Sequence, residues 1–339
     1  MAEGMVRGAE EGDMPAVRAV AERFGLLRGW PSARDFLDAE RAFGRLVLAP
    51  TANGQARGFG GTLRRGAVTH LGDLFVLPEH QSSGVGRGLL AELMGGGGPK
   101  VTFASSDPRA MSLYIRYGLR PWCPLLYLTG PASALPGPPV REAGPEDVAE
   151  LDAHAGGGAR RGTLAWYAAT PGVTLYTTGQ GYAFVRVGGG DGVSGGDGVM
   201  SGGDVMSGGD VVGRGDIVNG GDVVGGGDVV NGGDVVSGRD GVGGGDVVSG
   251  RDVVIGPAGG VTPRDCVEAV LGALAATVRA SAAGSTPQVA RIAVPGVHPL
   301  VTPLVEAGWR IGDLDTFMAD DAALSLIRPD CYVPHPDLG

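Results

Sequence analysis

The stretch from Asp73 to Leu90 constrains this chain more than any other. Leu74-Phe75-Val76-Leu77 reads as an apolar strand, and Pro78 stops it because proline has no N–H to give to a ladder. Gln81-Ser82-Ser83-Gly84-Val85-Gly86 follows as a glycine-rich turn, and Leu89-Leu90 open an apolar helix. Strand, glycine turn and helix in this order make an anion cradle. Backbone N–H groups converge there, and the helix start adds partial positive charge. A phosphate-bearing ligand is the expected occupant. Two common phosphate loops do not fit. GxxxxGK[ST] needs a lysine and a hydroxyl after its second glycine, but Gly86 is followed by Arg87-Gly88. GxGxxG needs a long helix and a later acidic residue. Here Gly84-Val85-Gly86 supplies only the first half, and Gly95 to Gly98 interrupt the helix.

The run Val76 to Leu90 resembles the acetyl-CoA loop of the GNAT superfamily of N-acetyltransferases, whose core is Q/R-x-x-G-x-G/A after a strand ending V-x-P. Gln81, Gly84 and Gly86 match that core in register. A second family segment, N-x-x-A-x-x-L-Y-x-x-x-G-F-x-P, is similar to Asp107-Pro108-Arg109-Ala110-Met111-Ser112-Leu113-Tyr114-Ile115-Arg116-Tyr117-Gly118-Leu119-Arg120-Pro121. Asp107 stands where asparagine is usual and Leu119 where phenylalanine is usual. Asp107 can still cap a helix, and Gly118 suits a left-handed helix end.

The resemblance implies an α/β fold with a mixed sheet, and acyl transfer from acetyl-CoA, as cosubstrate, to an amine. The implied cofactor-binding residues are Phe75 and Val76 at the strand end, Gln81, Ser82, Ser83, Gly84, Val85, Gly86, Arg87 and Gly88 in the loop, and Asp107. A backbone N–H near Val76 would stabilise oxyanion charge. Tyr114 stands where the family has its general acid, and a phenol can protonate a thiolate of similar basicity. The attacking ammonium must lose a proton, and Asp73 is the first candidate base, with His70 and Glu79 near it in sequence. Many family members carry an acidic residue one place before Asp73, where this chain has Gly72.

The chain repeats itself. Val6 to Val17 aligns without gaps to Val140 to Leu151, each reading as a short strand, a turn and an aspartate N-cap (Asp13, Asp147) opening a helix. The ends match too: Tyr117-Gly118-Leu119-Arg120 parallels Ala307-Gly308-Trp309-Arg310, and an apolar strand follows each. The expected organisation is a GNAT domain at 1–130, a Pro-rich linker at 131–139, a degenerate GNAT-like domain at 140–325, and a tail at 326–339. The second half lacks the Q/R-x-x-G-x-G loop, and the position matching Tyr114 is Leu304, which cannot donate a proton. Its helix is expected over Asp265 to Val278.

Residues 189–252 form a low-complexity insertion with a six-residue unit close to G-G-D-V-V-x. It separates Tyr182–Val187 from Val253–Ile255, two apolar stretches expected to pair as a hairpin. Three readings stay open for it: a disordered loop, a small β-solenoid, or stacked aspartates binding calcium, whose usual repeat is nine residues rather than six.

The 339 residues carry a net charge of −10, which disfavours nonspecific nucleic-acid binding. Three scattered cysteines, Cys123, Cys266 and Cys331, make neither a metal motif nor a disulfide framework, so no metal is expected. There is no apolar run long enough for a membrane span and no secretory leader pattern. The expectation is a cytoplasmic monomer or homodimer whose partners are acyl-CoA and an amine. Two alternatives are a catalytically inactive CoA-binding or regulatory module and a scaffold whose acidic repeat recruits cationic partners.

Overall fold

The computed structural model describes residues 5–31, 34–133, 135–188, 252–281 and 289–339. The insertion at 189–252 lies outside them but for its last residue, and so do the three readings of it.

The first half runs β1 (Arg7–Gly8), α1 (Met14–Arg23), α2 (Phe36–Phe43), β2 (Gly44–Pro50), β3 (Ala56–Arg65), β4 (Val68–Val76), α3 (Val85–Met94), β5 (Lys100–Ala104), α4 (Pro108–Ile115) and β6 (Arg120–Pro131). The second runs β7 (Arg141–Glu142), α5 (Pro145–Gly156), α6 (Arg161–Ala168), β8 (Val173–Thr177), β9 (Gly181–Val187), β10 (Val253–Gly260), α7 (Pro263–Ala280), β11 (Val289–Pro295), α8 (Val301–Glu306), β12 (Arg310–Ala319), α9 (Asp321–Leu324) and β13 (Tyr332–Val333). The fold is mixed α/β, with one large sheet between helices. β9 and β10 pair antiparallel, Val187 opposite Val253, as their apolar sequences led one to expect. None of the helices among the described residues is long and apolar enough to cross a membrane.

The strands lie in the order β1-β2-β3-β4-β5-β12-β6-β11-β10-β9-β8-β7, with β13 added against β10. This order is a palindrome of the two halves. In each half an antiparallel meander of four strands meets a fifth in parallel, β4 with β5 and β10 with β11. The terminal strands are exchanged. β12, from the second half, lies against β5, with Phe317 opposite Phe103, while β6, from the first, lies against β11, with Leu126 opposite Val294. β6 and β12 then pair with each other at the centre.

The repeat seen in the sequence is visible in atomic detail, with one correction. Asp13 and Asp147 do not cap through the following turn. Each accepts from the backbone N–H three residues earlier, Glu10 at 2.9 Å and Gly144 at 3.0 Å. Each also pairs with the arginine of its short strand, Arg7–Asp13 at 2.6 Å and Arg141–Asp147 at 3.7 Å. Helix α7 is longer than expected at both ends. Thr262 caps it and Pro263 occupies its first turn, where a missing N–H costs nothing.

Alternation along the strands divides the core by face. In β2, Leu46 and Leu48 pack toward α1 and α2, while Val47 and Ala49 pack toward α3. In β9, Tyr182 and Phe184 join Met14, Phe36, Leu37 and Phe59 of the first half, so one apolar cluster spans both halves. Inside this shared face lies a charged pair. Asp152 accepts from Arg160 Nη2 at 2.8 Å and Nε at 3.0 Å, and also from the Tyr182 hydroxyl, with both side chains of the ion pair essentially inaccessible. Removing one partner leaves a buried uncompensated charge. Asp152→Ala is therefore expected to lower folding stability by about 3–5 kcal/mol, read as a fall in the chemical-denaturation midpoint.

Candidate active site

Two features make a site of the first half, a fork in the sheet and a helix start at its mouth. The parallel pairing of β4 with β5 covers only Thr69–Leu71 against Lys100–Thr102. The Thr102 hydroxyl donates to the Leu71 carbonyl at 2.9 Å and marks the point where the strands part. Beyond it β5 continues against β12, and among the described residues no strand lies beside the β5-facing edge of Gly72–Val76. Ligands in α/β sheets collect at such C-terminal strand ends.

The helix start comes from the glycine turn. Ser82 has φ 62° and Gly84 φ 91°, both left-handed, which folds the loop tightly onto α3. The first helical bond runs from the Gly88 N–H to the Gly84 carbonyl at 3.0 Å. The N–H groups of Val85, Gly86 and Arg87 therefore have no partner within the helix. Gln81 does not reach outward: its amide donates to the Val76 carbonyl at 3.3 Å and ties the loop to the strand end. The Ser83 hydroxyl donates to the His80 carbonyl, so it too braces the loop. Arg87 is exposed and forms no ion pair among the described residues.

Gly84 needs glycine for its backbone. Gly86 does not: a Cβ there would meet only Val76 Cγ2 at 3.5 Å, an ordinary contact, and φ is not left-handed. Nothing within the fold demands glycine at 86.

Asp107 caps α4, accepting from the Arg109 N–H at 2.8 Å. This helix presents Tyr114, buried among Leu89, Leu90 and Met318 on the α3 face. Burial, then the negative charge of Asp73, pushes its phenol pKa up. Asp73 lies on the opposite face. Gly61 pairs with Asp73 while Thr62 pairs with Leu71, so Gly72 is an extra residue, a β-bulge. The bulge reverses the alternation: Leu71 packs toward α3, yet Phe75, four residues on, packs toward α1 and α2. Asp73 follows Phe75 and meets α2. Burial raises its carboxyl pKa to about 7, although a hydrogen bond with Glu40 works against that rise. Glu40, on α2, was not singled out by the sequence, since nothing there links α2 to the bulge.

His70 and Glu79, near Asp73 in sequence, stand apart from this pair. His70 is buried beside Gly339 and its imidazole is held neutral, chiefly by burial and then by Arg65 and Arg160. Glu79 is exposed, 3.8 Å from Arg23.

The equivalent fork of the second half is filled. β10 pairs with β11 only over Val253–Ile255, and the freed edge then takes β13, with Ala258 opposite Val333 and Gly259 opposite Tyr332. Leu304 takes the place of Tyr114. The Trp309 N–H bonds to the Leu304 carbonyl at 3.0 Å as the Leu119 N–H does to that of Tyr114 at 3.3 Å, and Leu304 is buried. From β13 the chain continues to the first half's site. The Trp30 indole N–H donates to Asp337 at 2.8 Å, and Leu338 joins the shared core.

The whole chain matches a protein of Pyrococcus horikoshii described as a candidate acetyltransferase, over 100% of this chain and 97% of that one, at 14% identity and a TM-score of 0.63. A GCN5-related N-acetyltransferase from Anabaena variabilis ATCC 29413 matches over 93% of this chain and 71% of its own, at 10% identity and a TM-score of 0.52. No family model and no curated protein matches. At these identities the likeness is one of fold, and the chain has the fold of the GCN5-related N-acetyltransferases.

If Gly86 is glycine for the sake of something outside the chain, Gly86→Ala separates stability from binding. The variant is expected to fold as well as the parent or better, by up to about 1 kcal/mol, because alanine suits a helix. Where that partner is acetyl-CoA, the variant's affinity for it is expected to fall about tenfold or more, measured by calorimetry beside a thermal melt.

Proposed function

We propose that the protein is an acyl-CoA-dependent N-acyltransferase whose working site is the β4–β5 fork of the first half, with acetyl-CoA as acyl donor and a primary amine as acceptor. The observation that carries this reading is the fork itself. A strand edge and the first N–H groups of α3, both without a backbone partner among the described residues, meet there, with a phenol on one face and a carboxyl on the other. An acyl-CoA would bring a pyrophosphate and a thioester. The Val85, Gly86 and Arg87 amides suit the pyrophosphate, and Gly86 admits it closely. The N–H groups along Gly72–Val76 are available to an oxyanion.

The roles of the side chains follow from which face each occupies. On the α2 face Asp73 takes a proton from the acceptor ammonium, and the nitrogen lone pair is freed for attack. On the α3 face Tyr114 gives its proton to the sulfur as the C–S bond breaks, so both protons are handled without crossing the sheet. Burial of Tyr114 opposes the phenolate and keeps the proton in place until sulfur carries charge.

The filled fork of the second half supports a single site per chain. There β13 occupies the edge that an acyl chain would need, and Leu304 offers no proton. That half has a different part: it anchors the segment that carries Asp337 and Leu338 to the first half.

Tyr114→Phe is the direct test. The hydroxyl is lost and the packing kept, so kcat across a panel of small amines, aminoglycosides, peptide N-termini and lysines is expected to drop about a hundredfold to ten-thousandfold. Acetyl-CoA affinity, measured by calorimetry, is expected to stay where it was. A variant with unchanged kcat, or a parent that binds acetyl-CoA but turns over no amine, would overturn the assignment.

A further inference from the structure

Gly72 leaves the strand without the carboxylate often found there, and the structure shows what fills the space. Glu40 reaches over from α2 and is fully buried. A Cβ on Gly61 would lie 1.7 Å from its Oε2, and one on Gly72 would lie 2.7 Å from its Oε1. Both glycines are what lets the carboxyl lie flat against β3 and β4. The helix that delivers it is fixed at its start. Asp35 accepts from the Leu37 N–H at 3.1 Å, and Arg18 holds Asp35 and Asp38 at 2.8 Å each.

Among the described residues no N–H or O–H donor reaches either Glu40 oxygen. Its neighbour is another carboxyl: Oε2 lies against Gly61, the cross-strand partner of Asp73, and Oε1 against Gly72, the residue before it. The other ionisable groups facing the pair are Asp337 from the tail and Asp35 from the same helix, with Tyr114 across the sheet. None is a cation. Two buried carboxyls side by side with no other donor between them are expected to hold one proton in common.

We propose that Glu40 is a positioning residue for Asp73. It keeps its proton and donates it as a hydrogen bond to the Asp73 carboxylate, which fixes Asp73 as the acceptor for the proton of the incoming ammonium. In that step an N–H bond of the ammonium breaks and an O–H bond forms on Asp73. The neutral amine then carries the lone pair, and the proton later leaves to solvent. The proposal rests on reading the fork as an acyltransferase site. The order of the two protons follows from surroundings: burial and then the neighbouring Asp73 charge hold Glu40 protonated well above the usual carboxylate range.

The test has two arms on the full chain. The first needs no substrate: infrared spectra of the carboxyl stretch from pH 4 to 9. A protonated carboxyl band is expected at neutral pH, lost in Glu40→Gln, with a second band titrating near pH 7 that is lost in Asp73→Asn. If Glu40→Gln leaves the neutral-pH spectrum unchanged, Glu40 is ionised and the proposal fails.

The second arm is the pH profile of kcat/KM with acetyl-CoA and whichever amine in the panel turns over. Activity should rise with pH through an inflection near 7 as Asp73 loses its proton. Glu40→Gln retains an N–H donor and should keep that inflection. Glu40→Leu removes the donor, and Gly61→Ala pushes the carboxyl aside. Both should move the inflection up by about one unit and lower kcat/KM at pH 7 about fivefold. Loss of activity by the same factor at every pH in all three variants would mean a purely structural role and would overturn the proposal. A shared proton in the first arm with no amine acetylated in the second would instead sink the acyltransferase reading and leave the pair standing.

Discussion

The antiparallel pairing of β6 with β12 is the constraint on which the rest of this molecule depends. Each of these strands ends one half and lies in the sheet of the other, so neither half can complete its sheet alone. The exchange has three consequences. It removes the two sheet edges that separate halves would present at β5 and β11. It brings the α2 face of the first half against α5, α6 and β9 of the second, which pools their apolar side chains in one cluster. And it places Asp315 of β12, hydrogen-bonded by Tyr127 of β6 at 2.7 Å, near enough to Tyr114 for its charge to act on that phenol. A site built on the first half therefore feels charges that the second half contributes.

The two forks have the same origin and different fates. In both, a parallel pair runs for three residues and then parts, close to a bulge or register shift in the antiparallel pairing on the strand's other side. A free strand edge is a liability unless something pairs with it. In the second half the chain supplies that partner itself as β13. In the first half no strand among the described residues takes that edge, and the proposed acyl-CoA site lies there. The second half keeps the strand order of the first, has its fork closed by β13 and Leu304 in place of the tyrosine, and anchors a segment that reaches its neighbour.

Much of this was legible in the sequence for a physical reason: the elements involved are local. The glycine turn, the Asp107 cap, the left-handed Gly118 and the β9–β10 hairpin each follow from residues close together in the chain. The gapless match of Val6–Val17 to Val140–Leu151 shows the duplication directly, down to the recurring arginine–aspartate pair. What sequence reading missed is long-range. Nothing in β6 or β12 distinguishes a strand that stays with its half from one that crosses, because the apolar pattern satisfies either neighbour. The aspartates at 13 and 147 were read as caps, though they bond backward to the backbone, a difference of three residues that composition does not resolve. Glu40 was passed over because its partner is 33 positions away and its only local signal is the pair of glycines that make room for it.

That pair of glycines shows how the proposed base, Asp73, can have a second carboxyl beside it without an acidic residue at position 72. A side chain at position 72 sits on the bulge, and its direction is set by backbone geometry that must also keep the fork open. Moving the second carboxyl to α2 separates the two tasks. The bulge is then free to be glycine, and the helix, held at its start by Asp35 and Arg18, sets the position of the carboxyl independently. The consequence is a dependence on packing: the Glu40 oxygens touch backbone rather than donors. Their protonation state is therefore governed by burial and by Asp73, with no competing hydrogen bond among the described residues to fix it otherwise. A carboxyl pair arranged this way is sensitive to anything that shifts α2 against β3 and β4. The shared core ties α2 to the second half, so the proton affinity of Asp73 depends on the integrity of the whole exchanged sheet.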